Sequence, residues 1–461
     1  MDGVHNLQPT RRYMPPAQWG VAAPCSSEDF KINNHNHKPL AKDWSRFQAD
    51  TSHEDIAFRA GKNDIAAGQS VYDISVALNY SQGSGSPQLL RWITEHTEMV
   101  HNPPYSDWQC TMTIGNTSAL DMAMRMLTKS GDYVLSDSHT FASAVETALP
   151  MGVKFFGIDM DEEGLLPESL LHVLDNWNPA EHGDAQKPFL LYLIPTGQNP
   201  TGSTQSLDRR ISIYHVAQKH DLIILEDDPY YFLQMNPYSP SNGTPRKSEK
   251  PRSPGDLLGM IVPSYLSIDV DGRVIRMDSF SKVISPGSRI GWITAPQAIT
   301  ERYKSHADVS TQGPSGFSQL AFFKLLDEFW GHAGYLEWLI HIRTEYSTRR
   351  DFMIQACERY LPGDIVTWKP AQAGMFQWLC VNWRKHPDAS VKSLSEIEKE
   401  IWLESIAQGA LVARGSWFDA NADLPCMGIF YRTTFAAAPL DKIEEAVKRF
   451  GQALRKSFQV V

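Results

Sequence analysis

Between Tyr72 and about Phe329 the chain alternates short apolar runs with segments whose apolar residues recur at helical spacing. The runs Tyr133 to Leu135, Val153 to Ile158, Phe189 to Ile194 and Leu222 to Leu225 are strand-length and almost continuously apolar, as strands buried on both faces are. Between them, Leu120, Met124 and Leu127 mark one face of a helix. Strand and helix in alternation predict an α/β unit with a mostly parallel sheet covered by helices on both faces, whose ligands bind beyond the carboxyl ends of the strands. Beyond Phe329 the texture changes. Long helical patterns (Tyr335 to Tyr360, Leu394 to Gln408) and shorter strand-like runs (Met375 to Val381, Gly428 to Tyr431) predict a smaller α+β domain. The first seventy residues mix Pro, His, Asn and charge, and predict an arm with a short helical piece at Leu40 to Phe58. The expected division is therefore 1–70 as the arm and part of the small domain, 71–328 as the large domain and 329–461 as the C-terminal small domain. Asn236 to Gly255, rich in Pro, Ser and charge, predicts an exposed loop.

Length and charge narrow the functions open to this chain. At 461 residues and 42% hydrophobic it can bury a large core. It has no apolar run of about 18 residues to span a bilayer and no apolar stretch of a secretory signal near Arg11 and Arg12, so a cytoplasmic location and no membrane partner are expected. A formal charge of -10 argues against nucleic acid as a partner and makes any phosphate site a local one. The five cysteines are scattered, in no metal-ligand spacing, so neither a disulfide framework nor a metal is expected.

Four predicted strand ends carry residues suited to chemistry. Cys110 to Ile114 leads into Gly115, Asn116, Thr117 and Ser118 and then directly into the Leu120 helix, a placement that offers backbone N–H groups to an anion. Phe189 to Ile194 runs into PTGQNPTG, a rigid turn presenting Asn199. Leu222 to Leu225 ends in Glu226, Asp227 and Asp228, and acids at the end of a buried strand require a cation nearby. Val274 to Phe280 ends in SKVISPGSR, with Lys282 seven residues before Arg289. Ser279 and Lys282 also have the Ser-x-x-Lys spacing of penicillin-binding enzymes, but the Ser-Asp-Asn and Lys-Thr-Gly elements are absent and this serine closes a strand instead of opening a helix. QGSGSP, Gln82 to Pro87, begins like a dinucleotide loop but lacks its last glycine. Together the four ends ask for one ligand with a phosphate, a cationic ring nitrogen and an electrophile for an amine. Pyridoxal phosphate has all three.

The motifs TGQNPTG, EDDPYYFLQMNPY, RVIRMDSFSKVISPGSRIGW, QAGMF and IFYRTTFA, in order from about Leu78 to Phe435, resemble those of fold-type I aminotransferases, in particular the fungal aromatic and α-aminoadipate group, to which kynurenine aminotransferase is also similar. The resemblance implies a fold-type I transferase that moves an amino group from an L-amino acid, aromatic by inheritance from the group, to a 2-oxo acid such as 2-oxoglutarate in a ping-pong sequence. It implies Lys282 as the Schiff-base lysine and proton shuttle, Asp227 against the pyridine nitrogen, and Tyr230 and Asn199 on the phenolic oxygen. Phe141 would stack on the ring. Asn116, Thr117, Ser279, Ser281 and Arg289 would hold the phosphate, Tyr80 would reach the phosphate of a partner subunit in a homodimer, and Arg432 would clamp the substrate carboxylate. An α-aminoadipate preference, a β-lyase on the same fold and, remotely, an aminotransferase-like regulator are the alternatives; the last would need a basic helix-turn-helix ahead of the cofactor domain. The sequence departs from the group upstream of the tyrosine motif. Residues 59–75 read RAGKNDIAAGQSVYDIS where a Gly-Gly-Leu-Pro segment is expected, which puts the side-chain specificity in question.

Overall fold

In the computed structural model the described residues are 68, 70–238, 251, 253–421 and 428–460. The expected N-terminal arm and most of the Pro-rich loop lie outside them. Seven strands, β1 (Trp108–Thr113), β2 (Tyr133–Asp137), β3 (Lys154–Ile158), β4 (Leu190–Leu193), β5 (Ile223–Asp227), β6 (Val274–Ser279) and β7 (Gly291–Pro296), form one sheet in the order β1-β7-β6-β5-β4-β2-β3. The run from β6 through β5, β4 and β2 to β3 is parallel, whereas β7 is antiparallel to both β1 and β6. Two antiparallel steps leave β1 running in the same direction as β6, so its carboxyl end returns to the edge where the other strand ends converge. The four residues of β4 are all buried, which is why that strand reads as an unbroken apolar run.

A second sheet of four antiparallel strands, β8 (Val366–Thr367), β9 (Phe376–Val381), β10 (Ala413–Arg414) and β11 (Ile429–Thr434), has the order β8-β9-β11-β10. The helices that matter for the site and for this smaller sheet are α1 (Pro87–His101), α2 (Asn116–Leu127), α3 (Ala142–Ala148), α4 (Leu207–His220), α5 (Gly331–Tyr360), α6 (Leu394–Ala407) and α7 (Leu440–Ser457). Pro87 at the first position of α1 and the reciprocal Ser393–Glu396 capping box of α6 fix where those helices begin. In α7, Ile443, Val447, Phe450 and Leu454 are buried at helical spacing, and this face packs against α5 and α6. In α2 the predicted stripe is buried at Leu120 and Met124 and half-buried at Leu127. Among the described residues no helix is long and apolar enough to cross a membrane.

The two sheets meet through a pair of glycines. Gly197, in the PTGQNPTG turn, has φ +55, and Gly374, in QAGMF, has φ +75. A Cβ on Gly197 would lie 2.4 Å from the Gly374 nitrogen, and one on Gly374 would lie 2.7 Å from the Gly197 carbonyl oxygen. Only glycine allows both the left-handed conformation and this approach of backbone to backbone. The contact holds the Asn199 turn against the sheet that carries Arg432.

Candidate active site

At the end of β5 the alternation of side chains sends Glu226 and Asp228 to a shared partner, Arg276, and Asp227 to others. Glu226 accepts from the backbone N–H groups of Tyr265 (2.9 Å) and Leu266 (3.2 Å) and pairs with the Arg276 guanidinium at 2.9 Å. Asp228 accepts from the Thr196 hydroxyl at 2.9 Å and lies 3.5 Å from Arg276. Asp227 stands apart from this pair: its Oδ1 accepts from Asn116 Nδ2 at 2.7 Å and its Oδ2 from the Tyr192 hydroxyl at 2.8 Å. Burial raises the Asp227 carboxyl, while these two donors and the positive charges of Lys282 and Arg276 oppose the rise.

The cation that the acidic run requires is Arg276, on β6. It is fully buried, forms two bonds of 2.8 Å to Asp278 and lies over the Tyr231 ring at 4.6 Å. Even so, burial outweighs its attraction and pushes Asp228 up to about 7 and Asp278 up to about 6. Sequence reasoning named neither Arg276 nor Tyr192. Both carried a usable signal: a charged residue inside a strand-like apolar run, and a tyrosine inside another, must each find a polar partner when buried.

Lys282 closes the short turn Phe280–Lys282 that follows β6. Its amine is lowered from 10.5 to about 8, first by burial, then by the positive Arg432, with Asp227 opposing and Arg289 adding to the effect. A lysine at about 8 has roughly a tenth of its amines neutral at pH 7, against less than about one in a thousand for an ordinary lysine.

On one side of the lysine is an anion cradle. Arg289, at φ +54, directs its guanidinium to the Ser281 hydroxyl (3.3 Å) and to the carbonyls of Pro286 (2.9 Å) and Ile114 (3.2 Å). Ser279 donates to the Ser281 hydroxyl at 2.8 Å. The first residue of α2 follows Gly115, which has φ +78 and no side chain to cap the helix, so the first N–H groups of α2 are open to a ligand. A Cβ on Gly115 would stand 2.3 Å from Arg289 Nη2, so the absence of that atom makes room for the guanidinium. The register explains the meeting: Gly291 of β7 pairs with Thr113 of β1 on one side and Ser279 of β6 on the other.

On the other side is Arg432, buried on β11, whose Nη1 donates to Asn199 Oδ1 at 2.7 Å. Its guanidinium lies over Phe376 at 4.2 Å and over Phe418 at 4.7 Å, and burial lowers it to about 10. Trp378 is its cross-strand partner and stacks on Phe430 with centroids 5.3 Å apart. Phe418 is a further contact that no motif announced.

The sequence-selected residues thus fall into three groups. Lys282, Asp227, Asn199, Arg432 and the buried Tyr230, whose ring meets Phe376 edge-on at 6.1 Å, are brought together. Ser279, Ser281 and Arg289 meet at the start of α2, where Thr117 is exposed, and Phe141 sits half-buried at the start of α3. Asn116 is the residue whose side chain goes elsewhere than expected: its amide hydrogens reach Asp227 and the Met277 carbonyl (2.9 Å), leaving its backbone N–H at the uncapped start of α2 as the group open to a ligand. Tyr80 is 93% exposed in the single chain.

Comparison with known proteins agrees with this geometry. The family model for aminotransferase class I and II matches residues 58–450. An aromatic amino acid aminotransferase of Schizosaccharomyces pombe is 42% identical over 454 residues, spanning 95% of this chain and 94% of the relative. The mitochondrial kynurenine/alpha-aminoadipate aminotransferase of Bos taurus is 33% identical over 390 residues, spanning 83% of each. The crystal structure of aminotransferase Aro8 from Candida albicans superposes with a TM-score of 0.80 at 40% identity, covering 86% of this chain and 83% of that one. A lysine between an anion cradle and a buried acid, on a sheet of this topology and within a match of this extent, makes the chain a member of the class I and II aminotransferases, an enzyme of fold type I.

Proposed function

We propose that the enzyme is a homodimeric, pyridoxal-phosphate-dependent aminotransferase that takes the amino group from an L-amino acid with an aromatic side chain and gives it to a 2-oxo acid such as 2-oxoglutarate. The observation that carries this reading is Lys282, a half-buried lysine whose amine is lowered to about 8 by burial and by the charges of Arg432 and Arg289, with Asp227 opposing. The residues fit the cofactor at each end: Gly115 makes room for the Arg289 guanidinium beside the uncapped start of α2, a pairing suited to an anion, and Asp227 is a buried acid that needs a cation. When bound, pyridoxal phosphate supplies a carbonyl for condensation with amines and a protonated ring that accepts the electron pair released at the substrate α-carbon.

In this reading Ser279, Ser281, Arg289, Thr117 and the start of α2 at Asn116 hold the phosphate. Asp227 faces the ring nitrogen, Tyr230 and Asn199 face the phenolic oxygen, and Phe141 lies against the ring. Arg432, whose planar guanidinium lies over the Phe376 and Phe418 rings and is oriented by Asn199, binds the substrate α-carboxylate with two parallel bonds. Lys282 Nζ, as the neutral amine, would be the base that takes the substrate α-proton and the acid that gives it back. The exposed Tyr80 completes the phosphate site of the partner subunit. The aromatic preference is supported by the likeness to the aromatic amino acid aminotransferase of Schizosaccharomyces pombe and by the Trp378–Phe430 stack beside Arg432. A cytoplasmic site of action belongs to the same proposal, supported by the free thiols Cys110, Cys357 and Cys380.

The test is the visible spectrum of the protein reconstituted with pyridoxal phosphate, recorded before and after L-phenylalanine, L-tryptophan, L-kynurenine, L-2-aminoadipate and L-glutamate. A lysine-bound band that disappears with the aromatic donors is expected. No such band would overturn the cofactor assignment, a band that no donor changes would overturn the half-reaction, and a response confined to 2-aminoadipate would overturn the aromatic preference.

A further inference from the structure

Asp227 is held by two donors that belong to neither the cofactor nor the substrate. Asn116 Nδ2 reaches Oδ1 at 2.7 Å, and its other hydrogen is fixed on the Met277 carbonyl at 2.9 Å. That second bond settles the orientation of the amide, because the flipped amide would set its oxygen against two acceptors. Tyr192 OH reaches Oδ2 at 2.8 Å, and its fully buried ring is braced edge-on by Phe155 at 6.0 Å. Three strands are thereby tied to one carboxylate: Tyr192 comes from β4, Asp227 from β5 and the Met277 carbonyl from β6, with Asn116 from the start of α2. An amide nitrogen can only donate, so Oδ1 must accept. Each carboxylate oxygen still has a second lone-pair direction for a ring N–H.

We propose that Asn116 and Tyr192 are positioning residues that keep the Asp227 carboxylate ionised and aimed, and so keep the shared proton on the cofactor's ring nitrogen instead of on Asp227. The inference rests on the pyridoxal phosphate reading above. Its physical basis is that a buried carboxylate without donors competes strongly for a neighbouring proton, and donors to its charged form weaken that competition. Removing one such bond shifts the partition of the proton toward Asp227 by about tenfold or more. The ring then loses positive charge and becomes a poorer electron acceptor, which lowers kcat while leaving the Arg432 contribution to donor KM in place.

The experiment uses wild type, Tyr192→Phe, Asn116→Ala and Asn116→Ser, each reconstituted with pyridoxal phosphate labelled with 15N in the ring, together with the cofactor-free form of each. The expected result is a 15N shift typical of a protonated ring in wild type, a displacement toward the unprotonated value in Tyr192→Phe and Asn116→Ala, and a partial return in Asn116→Ser, whose hydroxyl can still donate. In the cofactor-free proteins the Asp227 carboxyl, followed by infrared difference against Asp227→Asn, should titrate about one unit higher in Tyr192→Phe than in wild type. Unchanged 15N shifts and carboxyl titration in folded variants would overturn the inference and leave the two residues as packing alone. Failure of wild type to take up the cofactor would instead overturn the functional reading, while the carboxyl titration would still decide whether the two donors hold Asp227 ionised.

Discussion

Replacing Lys282 with methionine should destroy turnover and, in the cofactor-free protein, raise stability. The buried amine is lowered from 10.5 to about 8, and each unit is worth about 1.36 kcal/mol, so burying the charged form costs roughly 3 kcal/mol at neutral pH. The side chain keeps some contact with solvent, which screens the charge and reduces the expected gain to about 1–2 kcal/mol. Methionine retains the apolar stem and removes the charge, so little packing is lost. The pH dependence identifies the cause. Below about pH 8 both the folded and the unfolded wild type carry the proton, and the folded state bears the full burial cost. From about 8 to 10.5 the unfolded chain binds more proton than the folded one, so wild-type stability rises with pH and the advantage of Lys282→Met shrinks; above 10.5 it is gone. Thermal or urea denaturation of both cofactor-free proteins from pH 6.5 to 10.5 measures it. A variant less stable than wild type at pH 7, or an advantage that does not fall across pH 8 to 10.5, would refute the reasoning that this lysine is held deprotonation-ready by burial.

Arg432→Lys should reduce kcat/KM for the amino donor by about 10–100-fold, mostly through KM, because an ammonium cannot form the paired carboxylate bonds or the flat stack between Phe376 and Phe418; steady-state kinetics with unchanged KM would contradict this. Gly374→Ala combines a left-handed φ of +75 with a Cβ 2.7 Å from the Gly197 carbonyl oxygen, and should cost about 2–5 kcal/mol in denaturation. The same variant should raise donor KM by displacing the Asn199 turn. Tyr80→Ala and Lys282→Ala homodimers should each be impaired, whereas unfolding and refolding them together should restore activity, since one site of the mixed dimer regains both residues; no recovery, or a monomer in light scattering, would refute the shared site.

How much of this was legible in the sequence follows the range of the forces involved. Strands and helices were visible through their apolar runs and helical periods: β2, β3, β4, β5, β6 and β9, the α2 stripe and most of α5 coincide with them, because buried strand positions are mostly apolar even where, as in β6, an ion pair is carried among them. Lys282, Asp227, Asn199 and Arg289 were recognisable because each occupies a strand end or turn within a motif, and Arg432, inside β11, through the IFYRTTFA motif alone. The antiparallel β7 was not expected, since its composition is that of its parallel neighbours and strand direction is set by how the chain returns to the sheet.

By itself, then, the sequence determined the α/β class and the family, since those depend on local hydrophobic pattern and on residue types at turns, and it singled out the candidate reactive residues. The tertiary structure alone decided the partnerships: Arg276 neutralising the acids beyond β5, the Asn116 amide turning to Asp227, Tyr192 reaching the same carboxylate, and Gly197 meeting Gly374 across the two sheets. Hydrogen bonds and ion pairs act over about 3 Å between residues that can lie 35, 111 or 233 positions apart in the chain, and no spacing within a linear motif encodes which of several eligible partners the register of the sheet brings within that reach.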